Sequence, residues 1–191
     1  LLGTMISCNS EPAQKKISGE ALGTTYSIIY FSEEDFPIEQ GLDSIFDVIN
    51  QSMSTYREGS DISRINAGDS TVKVDSMFKK VLSLSKRVYR ESDGYFDPTV
   101  GDLVNMYGFG PEGGIETIDS STVDSLMKFV GLDKIKISED GKVVKSFPEV
   151  YLDFNAIAKG YAVDVIGAYL NGQQVENFLI ELGGELLASG T

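Results

Sequence analysis

The stretch YLDFNAIAKGYAVD (residues 151–164) decides how the rest of the chain is organised. It begins with a strand-like run and passes through Asp153 and Asn155, which are both good helix-capping residues. It continues as a helix, because apolar side chains recur at helical spacing at Ile157, Tyr161, Val165 and Ile166. A helix that starts directly after a strand presents free backbone N–H groups and the positive end of its dipole. The stretch therefore predicts a place where an anionic group can bind.

Lys159 adds a positive charge in the first turn of this helix. By the dipole argument alone a lysine is misplaced there, because cations favour the last turn. A nearby phosphate or carboxylate would resolve the conflict, whereas a side chain that simply lies in solvent would need no partner. The segment by itself leaves both interpretations open.

The composition is that of an ordinary globular domain, and it restricts the chemistry. The 191 residues suit one domain with a sizeable core, with 41% apolar and 24% charged residues. The net charge of −13 disfavours nonspecific binding to nucleic acid or to an anionic membrane surface. Histidine is absent and there is one cysteine, which excludes a Ser-His-Asp triad, His-ligated zinc and an intrachain disulfide. Oxygen-ligand chemistry with magnesium, calcium or manganese remains available.

The first residues resemble the end of a secretory signal peptide, with the small Ser7 directly before Cys8. This pattern resembles a bacterial lipobox, in which the cysteine carries lipid after cleavage. We therefore expect residues 1–16 to comprise a signal-peptide remnant, a lipidated Cys8 and a polar tether. The protein would then be lipid-anchored in the bacterial cell envelope, outside the cytoplasm and without a transmembrane helix. The alternative is an ordinary N-terminus with an incidental cysteine.

The rest of the chain, residues 17–191, mixes helix-like and strand-like segments. Residues 17–31 form a strand or half of a hairpin, residues 54–66 a polar loop with room for a short helix, and residues 134–145 a hairpin around Asp140-Gly141. Further segments are helices over 37–53, 75–90 and 121–130, a flexible glycine-rich loop over 108–114, and strands over 175–181 and 185–189. Because hairpins outnumber clear βαβ units, the fold class is α+β.

Several polar residues outside the helix faces are candidates for chemistry: Tyr56, Arg57, Asp97, Thr99, Asp153, Asn155, Lys159 and Glu185. Each has a simpler explanation as well, since Asp97 and Asp153 could only cap turns. Carboxylates beside a phosphate make sense with a divalent ion, or when they accept hydrogen bonds from ribose hydroxyls or a base N–H. The sequence has no Walker A motif and no glycine fingerprint in the strand-to-helix setting of dinucleotide-binding folds, which excludes the P-loop and Rossmann classes.

Five blocks give the chain, from about Ile17 onward, a resemblance to the FAD:protein FMN transferase (ApbE) family. The blocks follow in the family's order and comprise residues 22–26, 53–56, 95–101, 153–164 and 182–185, of which the third and fourth are the most specific. The resemblance implies a mixed α+β fold with an antiparallel sheet and flanking helices. It also implies that the C-terminal part of that fold is missing from these 191 residues.

The resemblance implies a magnesium-dependent transferase with FAD as its substrate. FAD is split at its pyrophosphate, FMN is attached through its phosphate to a threonine or serine of a target flavoprotein, and AMP leaves. Such chemistry relies on positioning and on charge neutralisation by a metal ion and a cation. The implied partners are acceptor flavoprotein subunits that work outside the cytoplasm, which agrees with a lipid anchor.

Carried over by motif, the resemblance also assigns residues. The cofactor-binding positions are Leu22, Tyr56, Tyr95, Phe96, Asp97, Asp153 and Lys159. Ala156 matches a metal-ligand position, which for alanine means its backbone carbonyl. No catalytic base is assigned.

Departures from the family pattern limit what we expect of this chain. The other magnesium ligands of the family and a histidine-bearing segment belong to the missing C-terminal part. We therefore expect the 191-residue chain to bind magnesium poorly and to transfer little or no FMN. The acceptor threonine motif is also absent, so nothing indicates self-flavinylation.

Two other functions remain open from the sequence. Some relatives hydrolyse FAD to FMN and AMP, although Tyr56 mildly favours transfer. The second alternative is a lipid-anchored protein that binds FAD without chemistry.

Overall fold

A computed structural model describes residues 12–111, 113–115 and 117–191. The strands are β1 (Ala13–Ala21), β2 (Thr24–Ser32), β3 (Ile135–Ile137), β4 (Val143–Lys145), β5 (Phe178–Leu182) and β6 (Glu185–Ser189). The helices are α1 (Ile38–Met53), α2 (Asp61–Asn66), α3 (Ser76–Glu91), α4 (Gly101–Met106), α5 (Ser120–Met127) and α6 (Asn155–Gly172), with a short 3-10 turn at Leu132–Lys134. Cys8 lies outside the described residues.

The strands form two antiparallel sheets. The larger sheet has four strands in the order β1-β2-β5-β6, and β3 pairs with β4 in a separate hairpin. All six α-helices of the described residues lie between β2 and β5 in the chain. This arrangement confirms the α+β class with an antiparallel sheet and accompanying helices.

The described chain divides into two compact units, where the composition suggested one domain. The first unit comprises Leu1–Ile45, described from residue 12, and Val163–Thr191, and the second comprises Phe46–Ala162. The four-stranded sheet therefore belongs to the first unit, and helices α2 to α5 with the β3-β4 hairpin belong to the second.

The N-terminal strand region differs from the expectation in two ways. Residues 17–31 are not one strand but parts of both arms of the β1-β2 hairpin, which turns at Leu22-Gly23. Residues 13–16, expected as the end of a tether, form the first part of β1, because their backbones pair with residues 29–32 of β2. Polar side chains do not prevent a strand there, because the sheet is held by backbone hydrogen bonds and one face of β1 is exposed.

In the first unit, two glycines lie close to large side chains of neighbouring elements. A side chain at Gly41 would place its Cβ 2.2 Å from the Tyr169 hydroxyl, and one at Gly167 would lie 2.5 Å from Leu187 of β6. The Tyr169 ring also stands edge-on to Phe36 at 6.2 Å between ring centres. A larger residue at either position would therefore require the Tyr169 or Leu187 side chain to move.

The core of the second unit is built around two phenylalanines. Phe78 of α3 and Phe154, directly before α6, are both fully buried, and their rings meet edge to face with centres 5.1 Å apart. Ile62, Ile135 and Leu152 are also fully buried. The predicted helical face of residues 75–90 therefore packs inward, with Asp75 capping α3 by accepting the Phe78 N–H at 2.7 Å.

Among the residues that the structure describes, no helix combines the length and apolar character needed to cross a bilayer.

Candidate functional site

Three of the five sequence blocks meet in the second unit. The Asp153 N–H donates to the Pro98 carbonyl at 2.8 Å, and Tyr151 forms a parallel β-bridge with Val100. The Asn155 side chain donates through Nδ2 to Thr55 Oγ1 at 3.3 Å. The segments that contain Tyr56, Asp97 and Asp153 are therefore joined at the start of α6.

Asp153 is the buried carboxylate of this junction. Its side chain is 9% exposed, Oδ1 accepts the Asn155 N–H at 2.6 Å, and Oδ2 accepts Asn155 Nδ2 at 3.1 Å. Burial raises the pKa of this carboxyl above its ordinary value of 3.8, while both hydrogen bonds from Asn155 act in the opposite direction. The site therefore holds a desolvated carboxylate two residues before the first residue of α6.

Asp97 adopts the same local geometry on the neighbouring segment. Its Oδ1 accepts the Thr99 N–H at 2.8 Å and the Thr99 hydroxyl at 2.6 Å, and Thr99 Oγ1 in turn accepts the Gly131 N–H at 2.6 Å. Thr99 is buried and fixes this turn from within. Asp97 and Asp153 therefore each cap a turn of their own segment.

Aromatic rings near this junction are unusually exposed. Tyr56 is 62% exposed, Tyr95 96% and Phe109 77%. The Tyr56 hydroxyl donates to the Phe109 carbonyl at 3.1 Å, which ties the Tyr56 loop to the glycine-rich segment after α4. Tyr56 and Phe109, which this hydrogen bond joins, offer exposed ring surface on which a flat ligand can pack.

Two of the predicted positions lie on the first two turns of α6. Ala156 is the second residue of the helix and is exposed, and Lys159 is the fifth, so it begins the second turn rather than belonging to the first. Lys159 is half-buried, and no described carboxylate lies within salt-bridge distance of its ammonium group. Arg57, in contrast, pairs with Asp47 at 2.8 Å on the surface.

The residues near Ala156 do not by themselves form a metal centre. Within residues 12–111, 113–115 and 117–191, no group of three acidic, cysteine or histidine side chains is placed to hold an ion. Ala156 could contribute only a backbone oxygen.

The remaining two blocks belong to the first unit. Leu22 lies at the β1-β2 turn with a φ of 51°, a strained conformation for a leucine, and Gly23 follows with a φ of 73°. The Gly183 N–H donates to the Thr25 carbonyl at 3.1 Å, so the block at residues 182–185 lies beside the block at residues 22–26. Glu185 is exposed at the start of β6.

Asn66 belongs to the junction and was missed by the sequence reasoning. Its Nδ2 donates to the Leu152 carbonyl at 2.8 Å, and its Oδ1 accepts the Leu152 N–H at 2.9 Å. Only its position at the end of a polar loop could have drawn attention to it, because its partner is 86 residues away in the chain.

Comparison with known proteins agrees with this arrangement. The sequence pattern of the ApbE family matches residues 22–191. The FAD:protein FMN transferase of Vibrio cholerae is 33% identical over 190 residues, which cover 96% of this chain and 57% of that relative. The enzyme of the same name from Haemophilus influenzae is 32% identical over 201 residues, covering 98% of this chain and 58% of its own length.

Solved structures agree in fold. The flavin transferase ApbE from Vibrio cholerae superimposes with a TM-score of 0.87 at 33% identity, covering 94% of this chain and 60% of its own. The apo form of the Pseudomonas stutzeri flavinyl transferase ApbE gives a TM-score of 0.86 at 29% identity, covering 95% and 62%.

The chain belongs to the ApbE family. It spans a little under three fifths of the length of these two curated relatives.

Proposed function

We propose that this protein transfers FMN from FAD to a threonine or serine of a target flavoprotein, with release of AMP. The observation that carries the proposal is the buried Asp153 carboxylate, which lies two residues before the start of α6 in a segment joined to the Tyr56 and Asp97 segments. Membership of the ApbE family and the names of the two curated relatives support the same reaction.

The proposed roles follow from the chemistry of each side chain. The exposed Tyr56 ring packs on the flat rings of FAD, and Asp153 accepts a hydrogen bond from a hydroxyl or N–H of the bound dinucleotide. Lys159 offsets phosphate charge, which explains a cation close to a helix N-terminus. Leu22, Tyr95, Phe96 and Asp97 are further proposed contacts with the cofactor.

Magnesium dependence is part of the proposal. A bound magnesium ion would neutralise the charge that develops on the pyrophosphate, and Ala156 would supply one oxygen ligand through its carbonyl. The described residues do not complete the coordination, so the proposal relies on the family pattern for the other ligands. Removal of magnesium with EDTA should abolish FMN transfer, and its readdition should restore it.

The test uses the product of the complete gene, incubated with FAD, magnesium and an acceptor domain that carries a flavinylation threonine. Flavin fluorescence that stays with the denatured acceptor on a gel would establish transfer. Free FMN and AMP without a labelled acceptor would establish an FAD pyrophosphatase. FAD that remains bound and intact would establish a flavin-binding protein without chemistry. The last two outcomes would each contradict the proposal.

Tyr56 provides a prediction with a built-in control. Tyr56→Asn should lower FMN transfer about 10-fold or more, because it removes the ring surface for the flavin. Tyr56→Phe keeps the ring and loses only the hydrogen bond to Phe109, so it should retain most of the activity. Steady-state rates of acceptor labelling measure both variants. An asparagine variant as active as the wild type would remove Tyr56 from the site.

We also propose lipid attachment at Cys8, with the protein anchored in the bacterial cell envelope outside the cytoplasm. The support is the sequence pattern around Ser7 and Cys8. Cys8→Ala, expressed from the complete gene, should move the protein from the membrane fraction to the soluble fraction and abolish incorporation of labelled palmitate. An unchanged membrane fraction with the alanine variant would argue against this anchor.

A further inference from the structure

Asn66 makes a pair of hydrogen bonds that imitates a strand partner. Both polar groups of its carboxamide engage the same residue, with Nδ2 donating to the Leu152 carbonyl at 2.8 Å and Oδ1 accepting the Leu152 N–H at 2.9 Å. Only one orientation of the carboxamide satisfies both bonds, since the carbonyl must face the N–H. Leu152 is fully buried, so these bonds satisfy backbone groups that water does not reach.

The two neighbours of Leu152 in the chain are bonded to a different segment, at Pro98 and Val100. Tyr151 forms a parallel bridge with Val100, and the Asp153 N–H donates to the Pro98 carbonyl. Leu152, between them, is held by Asn66. Residues 151–153, shortly before α6, are therefore bonded to two other segments, one at Pro98 and Val100 and one at Asn66.

Helix α2 links residues 151–153 to the Tyr56 loop. At its N-terminus, Ser60 donates its hydroxyl to the Ser54 carbonyl at 2.6 Å, and Ser63 donates to the same oxygen at 3.2 Å. Asn66 is the last residue of the same helix. Helix α2 is thus hydrogen-bonded to the loop before Tyr56 at its N-terminal end and to Leu152, next to Asp153, at its C-terminal end.

The connection closes into a ring of hydrogen bonds. Asp153 accepts both donors of Asn155, and Asn155 Nδ2 also donates to Thr55 Oγ1 beside the Ser54 carbonyl. Thr55 is buried. The ring runs from the Ser54-Thr55 segment through α2 and Leu152 to Asp153, and then back through Asn155.

From this geometry we infer that Asn66 is a positioning residue for the FAD site. It fixes the Asp153 carboxylate and the start of α6 relative to the Tyr56 loop, without touching the substrate itself. The inference rests on the proposed function for the identity of the ligand, but the fixing of residues 151–155 can be measured without any ligand.

The first measurement is hydrogen exchange in the ligand-free protein. Asn66→Ala leaves the buried Leu152 N–H and carbonyl without their partner, so the amides of residues 151–155 should exchange about tenfold faster. Arg64→Ala is the matched control, since Arg64 lies on the same helix but pairs with Asp69 on the surface. It should leave exchange over residues 151–155 unchanged.

The second measurement is a double-mutant cycle on FAD affinity, followed by titration of flavin fluorescence. Asn66→Ala should raise the Kd for FAD about tenfold in the wild-type background. In the Asp153→Ala background it should raise the Kd less than about twofold, because the group that Asn66 positions is already gone. The fall in melting temperature caused by Asn66→Ala should be similar in both backgrounds, which separates positioning from general destabilisation.

The outcomes are distinct. Faster exchange together with a non-additive cycle supports the inference. Unchanged exchange over residues 151–155, or equal losses of FAD affinity in both backgrounds, overturns it. If the wild-type protein binds no FAD, the proposed function fails, and the exchange result alone decides whether Asn66 fixes the segment.

Discussion

Asp153→Asn should lower FMN transfer at least about 100-fold while leaving the melting temperature of the protein within a few degrees of that of the wild type. The substitution keeps the shape of the side chain, and its Oδ1 can still accept the Asn155 N–H that Asp153 accepts at 2.6 Å. It removes the negative charge and one acceptor oxygen. The proposed contact with FAD is therefore lost while the turn before α6 is kept.

The stability part of this prediction follows from the direction of the pKa shift. Burial raises the pKa of Asp153 above 3.8, so the folded protein binds this proton more tightly than the unfolded chain does. The folded state accordingly loses stability as the pH rises from 3.8 through the raised pKa, and at pH 7 the buried charge opposes folding. Asparagine has no charge to bury, but its Nδ2 takes the place of Oδ2, which accepts Asn155 Nδ2 at 3.1 Å. The gain from the absent charge is therefore offset by one lost hydrogen bond.

Acceptor labelling and thermal denaturation at pH 7 test the two parts together. Asp153→Ala is the companion variant, because it removes both the charge and the acceptor of the Asn155 N–H. It should lose activity and also melt at a lower temperature than the asparagine variant. An asparagine variant with nearly full activity would show that Asp153 only caps its turn.

Phe154→Ala should destabilise the protein by about 3–5 kcal/mol, the range observed when a buried phenylalanine is truncated. Phe154 is fully buried and meets Phe78 edge to face with ring centres 5.1 Å apart. Truncation leaves a cavity and removes this aromatic pair. Since domains are stable by only about 5–15 kcal/mol, one substitution brings the chain close to unfolding.

Urea unfolding followed by far-UV circular dichroism measures this loss. Phe154→Leu should cost less, because leucine fills more of the cavity than alanine does. Phe109→Ala is the control for the residue type, since Phe109 is 77% exposed, and its effect should lie within about 0.5 kcal/mol of zero. Equal effects of the alanine substitutions at residues 109 and 154 would contradict the core assigned to the second unit.

Regular periodicity and strong turn signals made much of the fold predictable from the sequence. The helices over 37–53 and 75–90 were confirmed as α1 and α3 within one residue at either end, because each carries a continuous apolar face. The hairpin around Asp140-Gly141 was confirmed for a local reason, since Gly141 adopts a φ of 84°. These features depend on neighbours in the sequence.

The features that were missed depend on partners far away in the chain. The six-residue helix α4 lies before a glycine-rich segment and has no side-chain cap, so little in its sequence distinguishes it from a loop. The β1-β2 turn uses a leucine at positive φ, for which local preference gives no signal. Residues 13–16 form a strand because they pair with residues 29–32 of β2 through backbone hydrogen bonds.

The same distinction applies to the site. The Asp97 and Asp153 turns were predictable, because an aspartate that caps its own turn acts within two residues. The hydrogen bonds of Thr55 with Asn155 and of Asn66 with Leu152 join residues 100 and 86 positions apart, so no local sequence pattern predicts them. The placement of Lys159 in the first turn of α6 was wrong by one residue, since the helix begins at Asn155.

The strand order also has a consequence for synthesis on the ribosome. β2 pairs on one side with β1, which precedes it directly, and on the other side with β5. The whole of Phe46–Ala162 is made between the two, as one continuous stretch. Until β5 emerges, the backbone N–H and carbonyl groups on that side of β2 lack their final partner and can pair with another chain. The nascent protein therefore passes through a period in which a chaperone has a defined segment to protect.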